Sequence, residues 1–498
     1  MAARIRMTVS WFCAGLLWGA AFLFAADFPP SVPPPTPVHL ASPAVHVLPN
    51  GMRVAVIERH GLPIIDLRVV VRSGAEADPP ELPGTAQMVA SLLNQGTTRR
   101  TAQEIARAID QVGGTIDNGA DWDNSYIALS FLSDQTELAY ELLAEMTMHP
   151  GFLPAEIERQ RKQELSALSV AKDDPAYVAD AVFDRLAFAG TPYGHPPDGV
   201  QESVSAITAA DIREFYHRYY RPDNSILIVI GDIRAEDGFR LASKYFSNWK
   251  DEGTPSTAGR AVGGIPNGGS PATENTRQIV VIDKPDAVQT EIRLGNRGIP
   301  RSSSDYLALT VANQILGGPA TNRLYKALRT EHGLTYSASS ELDCYQTLGS
   351  WESKTFTRTA ETIPSLRLAL EQMKRLRDHP ITEGELETAQ SYLTGHLALE
   401  VESPDGIATQ TLNLMVYHLP LDYWNQFPDE LRTLQTKEVL NATRRYMDPD
   451  HDIIVLVGNA SAFTKDLKKL GDARVIPIHS LDLASPDLER PNPPPANR

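Results

Sequence analysis

One segment of the chain occurs twice. Residues 207–231 and 434–458 align without a gap at a constant offset of 227. In both copies a helix-like stretch leads through a tyrosine and a proline to an apolar run, and both runs end in glycine, Gly231 and Gly458. A match of this length without an insertion predicts two copies of one α/β unit, each of roughly 200 residues.

The repeat divides the chain into two domains. Residues 43–250 are predicted to form the N-terminal domain and residues 278–481 the C-terminal domain. The segment 251–277 is rich in Gly, Ser, Thr, Pro and Asn, which is typical of a linker. The last segment, 482–498, ends in a proline-rich run and is predicted to be disordered.

Hydrophobic periodicity predicts strands and helices in both domains, and therefore an α+β fold. A hairpin is expected over 45–58, with its turn at Pro49-Asn50-Gly51. Further strands are predicted over 64–72, 226–230, 278–282 and 291–294. Helices are predicted over 84–95, 102–112, 134–148, 153–171, 208–220, 304–316 and 321–331.

The N-terminus has the pattern of a secretory signal over residues 1–26. Arg4 and Arg6 precede an apolar run, and small residues, Ala25-Ala26, follow it. An uncleaved membrane anchor is the alternative, because the apolar run is rather long for a signal. Residues 27–42 form a proline-rich leader that cannot build a core. We therefore expect an exported, periplasmic protein.

Net charge and cysteine content argue against nucleic-acid binding and against stabilisation by disulfides. The formal net charge is -16, which disfavours nucleic acid as a partner. After signal cleavage only Cys344 remains, so no intramolecular disulfide can form. Stability must then come from the size of the hydrophobic core.

The segment from Gly84 to Thr97 reads Gly-Thr-Ala-Gln-Met-Val-Ala-Ser-Leu-Leu-Asn-Gln-Gly-Thr. It resembles the zinc-binding helix of the pitrilysin/insulysin metallopeptidases, which is written G-x-A-H-x-x-E-H-x-L-x-x-G-T. Gln87 stands at the first histidine, Ala90 at the glutamate and Ser91 at the second histidine. An amide, a methyl group and a hydroxyl cannot together hold zinc and activate water. We expect no zinc in this chain and no catalysis by it alone.

The family's third zinc ligand is a glutamate on a later helix. Glu164, 73 residues past Ser91, is the nearest match, and Glu158 is another candidate. Because both histidines are missing, these glutamates are interpreted as charges on an amphipathic helix. No second constellation suited to peptide hydrolysis is found: the histidines include no i, i+4 pair, and His195 lies in a Pro/Gly loop.

The resemblance extends over residues of about 45 to 480. Gly190-Thr-Pro-Tyr-Gly194-His195-Pro196 is similar to the second half of the family's N-terminal domain, and Leu316 to Tyr336 is similar to its C-terminal-domain signature. The resemblance implies two tandem homologous domains of the pitrilysin and mitochondrial-processing-peptidase type, each with an antiparallel-rich sheet packed with helices. It also implies that Arg329 and Tyr336, seven residues apart, bind the substrate carbonyl at a facing zinc site. Both side chains donate hydrogen bonds, which suits that task.

These features favour a non-catalytic subunit of a periplasmic zinc-peptidase heterodimer. Its expected partner is a homologous subunit with an intact H-x-x-E-H motif, which carries the zinc, and the expected substrate is a peptide. The alternative is a catalytically inert peptide-binding or assembly protein on the same fold. A third interpretation, an active peptidase with displaced ligands, is the least favoured.

Overall fold

The computed structural model describes residues 40–250, 277–319 and 322–490, which belong to one compact unit. The predicted signal segment, the leader up to residue 39 and the linker up to residue 276 lie outside the described residues. None of the helices within the described ranges is both long enough and apolar enough to cross a membrane.

The N-terminal domain is built on a six-stranded sheet in the order β1-β2-β6-β3-β5-β4. The β2–β6 pair is parallel and the other pairs are antiparallel. The predicted hairpin is present as β1 and β2, and β3 corresponds to the strand predicted over 64–72. The strand bounds are β1 Ala44–Val47, β2 Arg53–Glu58, β3 Ile64–Val71, β4 Thr115–Ala120, β5 Ser125–Leu132 and β6 Ser225–Gly231.

The C-terminal domain repeats this sheet in the order β12-β7-β11-β8-β10-β9. Its strands are β7 Gln278–Asp283, β8 Gln289–Arg297, β9 Ala338–Cys344, β10 Gly349–Arg358, β11 Ile453–Gly458 and β12 Ala473–Pro477. The edge position of β1 is taken here by β12, which comes from the end of the chain and pairs parallel with β7. The prediction of two related α+β domains is confirmed.

Helices cover both sheets. In the N-terminal domain they are α1 Thr85–Leu92, α2 Ala102–Asp110, α3 Thr136–Met148, α4 Pro154–Asp173, α5 Pro175–Ala187, α6 Gln201–Ala206, α7 Ala209–Tyr219 and α8 Ala235–Phe246. In the C-terminal domain they are α9 Tyr306–Gly317, α10 Arg323–Tyr325 continued by a π-helical turn Lys326–Glu331, α11 Thr362–Asp378, α12 Glu383–Glu400, α13 Pro404–Val416, α14 Tyr423–Thr433, α15 Thr436–Tyr446 and α16 Thr464–Leu467.

Each domain contributes one helix that packs on the sheet of the other domain. Helix α5 of the N-terminal domain packs on β8 and β11 of the C-terminal sheet, and α13 packs on β3 and β6 of the N-terminal sheet. Val182 and Phe183 of α5 share one buried cluster with Val455 of β11. The repeat therefore pairs the domains reciprocally, and neither domain can bury its sheet alone.

A charged network lies beside the apolar contact of α5. The buried Arg293 on β8 bonds to Asp180 of α5 at 2.5 Å and to Glu291 at 2.9 Å. Lys354 on β10 lies 3.2 Å from the buried Glu352 and 3.5 Å from Asp180. Each of these cations has more than one carboxylate around it, so this interface contains paired charges as well as apolar contacts.

The C-terminal segment is ordered further than predicted. Leu488 is 0% exposed and belongs to the cluster formed by α5 and the C-terminal sheet. Residue 481 forms a bridge with residue 489, and Glu489 lies 2.6 Å from Arg474 of β12. The prediction of disorder from residue 482 is wrong for 482–490, because Leu488 fills an apolar site that composition does not reveal. Residues 491–498 lie outside the described residues.

Candidate functional site: a zinc helix without zinc ligands

Helix α1 is held firmly at its start. The carboxylate of Asp78 accepts hydrogen bonds from the backbone N–H groups of Gly84, at 2.6 Å, and Ala86, at 2.7 Å, which satisfies donors that a helix N-terminus leaves open. Gly84 has φ +90°, and a Cβ there would lie 2.7 Å from the carbonyl oxygen of Asp198. Only glycine permits this close approach of the 198–199 loop to α1.

The side chains at the ligand positions of α1 bond to one another and to α4. Gln87 Nε2 donates to Ser91 Oγ at 3.2 Å, and Ser91 Oγ donates to Glu164 Oε1 at 3.4 Å. Gln160 Nε2 also donates to Glu164 Oε1, at 3.0 Å. On the other side, Gln87 Oε1 accepts the backbone N–H of Ala120 at 3.0 Å. The positions that the sequence singles out are thus brought together.

Glu164, and not Glu158, is the glutamate that faces α1. Glu158 lies on an exposed part of α4 and pairs with Arg161 at 3.3 Å. Glu164 was interpreted as a charge on an amphipathic helix, and in the structure its carboxylate is half-buried and accepts from Ser91 and Gln160. Helical spacing alone did not reveal which of the two carboxylates points inward.

This arrangement lacks the groups that zinc hydrolysis needs. Ala90 is fully buried, and its side chain is a methyl group where the family has its general base. Its backbone carbonyl accepts a hydrogen bond from Asn118 Nδ2 at 2.7 Å. Ser91 is 8% exposed and offers only a hydroxyl. Across the described ranges, no three His, Cys, Asp or Glu side chains converge closely enough to hold a metal ion.

His195 and His332 both serve local structure. His195 bonds through Nδ1 to the carbonyl oxygen of Pro196 at 3.0 Å and lies against Trp122, with ring centroids 5.4 Å apart. Burial lowers the pKa of His195. His332 Nδ1 bonds to the carbonyl oxygen of Ala327, at the end of the π-helical turn.

Arg329 and Tyr336 form one stacked unit in the C-terminal domain. The Arg329 guanidinium carbon lies 4.3 Å from the centre of the Tyr336 ring and 4.9 Å from that of Tyr325. Arg329 Nη1 also donates to the carbonyl oxygen of Tyr336 at 2.8 Å. Within the described residues, no hydrogen bond or ring contact links this pair to α1.

The backbone explains how the pair meets. Arg329 lies in the π-helical turn, a rare conformation that widens the helix. Gly333, at φ +62°, ends that turn, and the N–H of Leu334 returns to the carbonyl of Leu328 at 2.8 Å. Strand β9 begins at Ala338, two residues after Tyr336, because Thr335 Oγ1 accepts the N–H of Ser337 and holds a turn there.

Two family models match successive parts of the chain. Residues 53–196 match the insulinase (peptidase family M16) model, and residues 206–393 match the peptidase M16 inactive domain model. The chain belongs to peptidase family M16. The M16 match to the N-terminal domain includes α1, although the zinc-binding histidines and the glutamate between them are absent there.

M16 relatives cover most of the chain. An uncharacterized zinc protease of Mycobacterium leprae is 28% identical over 355 residues, which are 71% of this chain and 78% of that protein. A non-peptidase homolog, YmxG, of Helicobacter pylori is 22% identical over 427 residues, 84% of this chain and 95% of that protein. A crystal structure of a peptidase M16 inactive domain from Pseudomonas fluorescens has a TM-score of 0.75 at 27% identity, and the match covers 84% of this chain and 98% of that one.

Proposed function

We propose that this chain is the non-catalytic subunit of a periplasmic zinc-metallopeptidase heterodimer. In this proposal the partner is an M16 subunit with an intact H-x-x-E-H motif, which supplies zinc and the general base. This chain supplies Arg329 and Tyr336, which hold the carbonyl of the scissile peptide bond at the partner's metal. The pair of subunits then degrades or processes peptides.

The observation that carries the proposal is the stacked Arg329–Tyr336 pair, in which Arg329 is half-buried and Tyr336 is exposed. Tyr336 is 71% exposed, although a large aromatic side chain is costly to leave in water. Its hydroxyl forms no hydrogen bond with any described residue, and the Nε and Nη2 atoms of Arg329 are also without partners there. Donors on both side chains are therefore available to a carbonyl oxygen brought by another molecule.

The side chains of α1 support the assignment of different roles to the two subunits. Gln87, Ser91 and Glu164 use their hydrogen-bonding groups on one another, and Ala90 has none. In this proposal the chain has lost the metal-binding half of the M16 site and has kept the carbonyl-binding half. A partner subunit needs only the second half, so the loss and the retention are explained together.

The alternative is a peptide-binding or assembly protein that acts without cleavage. It is favoured by a cleft of about 670 Å³ between the two domains, which opens beside α1 and does not depend on Arg329 or Tyr336. In that case the exposed pair would contribute to assembly or to peptide binding, and no catalytic effect of its removal would be seen.

The test is reconstitution of the chain with its zinc-bearing M16 partner. Tyr336→Phe keeps the ring that stacks on Arg329 and removes only the hydroxyl, and Arg329→Lys keeps the charge but not the planar fork. Loss of one carbonyl donor typically lowers turnover by about 10²–10³. Because the two donors act on one oxygen, the double variant should lose much less than the product of the two single losses.

Arg432→Ala is the matched control, since Arg432 is exposed and, among the residues that the structure describes, pairs only with Asp429 on the same helix. It should leave turnover unchanged. Each complex is checked for co-elution, so that impaired assembly is separated from impaired catalysis. Normal cleavage by complexes of all the Arg329 and Tyr336 variants would refute the catalytic role and leave the binding alternative.

A further inference from the structure

The turn 334–337 carries Tyr336 and connects the π-helical turn with β9. Residues 333–337 belong to neither a helix nor a strand. The carbonyl oxygen of Tyr336 accepts from Arg329 Nη1 at 2.8 Å, and the Tyr336 ring stacks on the same guanidinium. The turn therefore places the Tyr336 hydroxyl and also orients the donors of Arg329.

Strand β10 extends beyond the start of β9 and runs beside this turn. The last pair between the two strands is Thr355 with Ala338, whereas β10 continues to Arg358 and pairs there with β8. Thr355 and Thr357 are two residues apart on β10, so their side chains project from the same face of the sheet. Thr355 is 6% exposed and Thr357 is 1% exposed.

Two threonine hydroxyls of β10 bind the two ends of the turn. Thr357 Oγ1 donates to the carbonyl oxygen of Leu334 at 2.7 Å. Thr355 Oγ1 donates to the carbonyl oxygen of Ser337 at 2.9 Å. These bonds lie on either side of Tyr336 in the sequence. Because β10 lies between β8 and β9 in the sheet, it gives the turn a rigid support.

We propose that Thr355 and Thr357 are positioning residues for the carbonyl-binding pair. Their hydroxyls hold the turn 334–337, so that Arg329 and Tyr336 present their donors together. This inference rests on the proposed function, in which the pair binds the scissile carbonyl at the partner's zinc. The threonines act only through the backbone of the turn.

The physical reason is the sensitivity of a donor to its place. A displacement of about 1 Å can lower a rate by about 10². A donor that is held in place before the reaction needs no reorganisation when charge develops on the carbonyl oxygen. The exposed ring of Tyr336 gains little packing of its own, so the restraint on it must come from the backbone of the turn.

Thr355→Val and Thr357→Val isolate the two hydroxyls. Valine has the same branched shape and favours a strand, so each change removes the hydrogen bond and keeps the packing of β10. Thr355→Ser and Thr357→Ser retain the hydroxyl and should restore the behaviour of the unaltered chain. Thr443→Val is the matched control, because Thr443 is fully buried on α15 and its Oγ1 donates to the carbonyl oxygen of Leu440 at 3.0 Å.

Amide hydrogen exchange of the full exported chain, followed by mass spectrometry, tests the restraint without a partner. The N–H of Leu334 bonds to the carbonyl of Leu328, and that of Ser337 bonds to Thr335 Oγ1, so both amides report opening of the turn. Each valine variant should exchange about tenfold faster over residues 334–337, and the Thr443 control should not. Unaltered exchange in both valine variants and in their combination would overturn the proposal.

Cleavage of a peptide by the chain reconstituted with its zinc-bearing M16 partner tests the consequence. Each valine variant should lower kcat by about tenfold and leave KM unchanged, because the pair acts on the transition state. The serine variants and the Thr443 control should keep kcat. Faster exchange with unchanged kcat would make the threonines merely structural and would also overturn the proposal.

The Arg329 and Tyr336 variants separate this inference from the proposed function. If Arg329→Lys and Tyr336→Phe lower kcat while the valine variants do not, only the positioning role of the threonines is refuted. If all these variants cleave normally, the proposed function is refuted, and the positioning role is refuted with it.

Discussion

Restoring the two missing histidines should give α1 a zinc site. Gln87 and Ser91 lie one helical turn apart on the same face, and Ser91 Oγ is 3.4 Å from Glu164 Oε1. Gln87→His combined with Ser91→His therefore places two imidazoles beside a carboxylate that already faces them. These are two nitrogen ligands and one oxygen ligand, a set that zinc accepts with water in the fourth position.

The free energy of unfolding of the double variant should depend on zinc. Ser91 is 8% exposed, so an imidazole there overpacks its surroundings and should lower the free energy of unfolding by about 1–3 kcal/mol in the metal-free double variant. Zinc that binds only the folded state raises the free energy of unfolding by about 2.7 kcal/mol when its concentration is one hundred times the dissociation constant. The double variant should thus be less stable than the unaltered chain without zinc, and should approach it when zinc is added.

Elemental analysis and denaturant unfolding, each with and without zinc, measure the effect. Addition of Glu164→Gln to the double variant is the control, and it should abolish both zinc uptake and the stabilisation. No peptide cleavage is expected, because Ala90 still provides no general base. A folded double variant that takes up no zinc, or takes it up equally well without Glu164, would refute the assignment of α1 and α4 as the former zinc-binding face.

Three further predictions follow from the fold and the site. The unaltered chain should carry no stoichiometric zinc after purification and should cleave no peptide alone, and about one tightly held zinc per chain in elemental analysis would contradict this. Burial, with Asp343 nearby, raises the pKa of Asp184 from 3.8 to about 7, so the folded state binds more protons than the unfolded state between these values and loses stability as the pH rises through them. Asp184→Asn should therefore raise the free energy of unfolding by up to about 4 kcal/mol at pH 8 and change it little at pH 4, and an equal effect at both values would contradict the linkage. Leu488→Ala should lower the free energy of unfolding by about 2–5 kcal/mol in denaturant titrations, whereas a disordered tail would show no change.

The repeat allowed much of the fold to be predicted. The matched segments 207–231 and 434–458 fold as α7 with β6 and as α15 with β11, and both strands lie at the same place in their sheets. The agreement has a physical reason. Each apolar run is a strand between two neighbouring strands, a position that requires apolar residues on both faces of the sheet. The helix that carries Gln87 was also predicted, because its flanking glycines and its apolar face remain.

Other features depend on tertiary contacts and could not be predicted from local patterns. Strand β4 contains Asp117, Asn118 and Gly119, which rarely favour a strand, and it forms because β5 offers a pairing edge. The exchange of α5 and α13 between the domains has no local signature. The cleft between the domains was missed as well, although part of its lining, the run Asp121-Trp122-Asp123-Asn124 between two strands, was a visible sign of a polar turn.

The present side chains of α1 explain how an M16 helix can lose its chemistry and keep its fold. A buried polar group without a partner would destabilise the domain, but Gln87, Ser91 and Glu164 satisfy one another, and Ala90 adds no polar group. Asp78 and Gly84 still fix the start of the helix, although there is no metal ligand left for it to position. The restraints on α1 therefore serve the packing of the domain and the wall of the adjacent cleft. The loss of the zinc ligands therefore leaves the fold of the N-terminal domain in place, as well as the stacked Arg329–Tyr336 pair on which the proposed function rests.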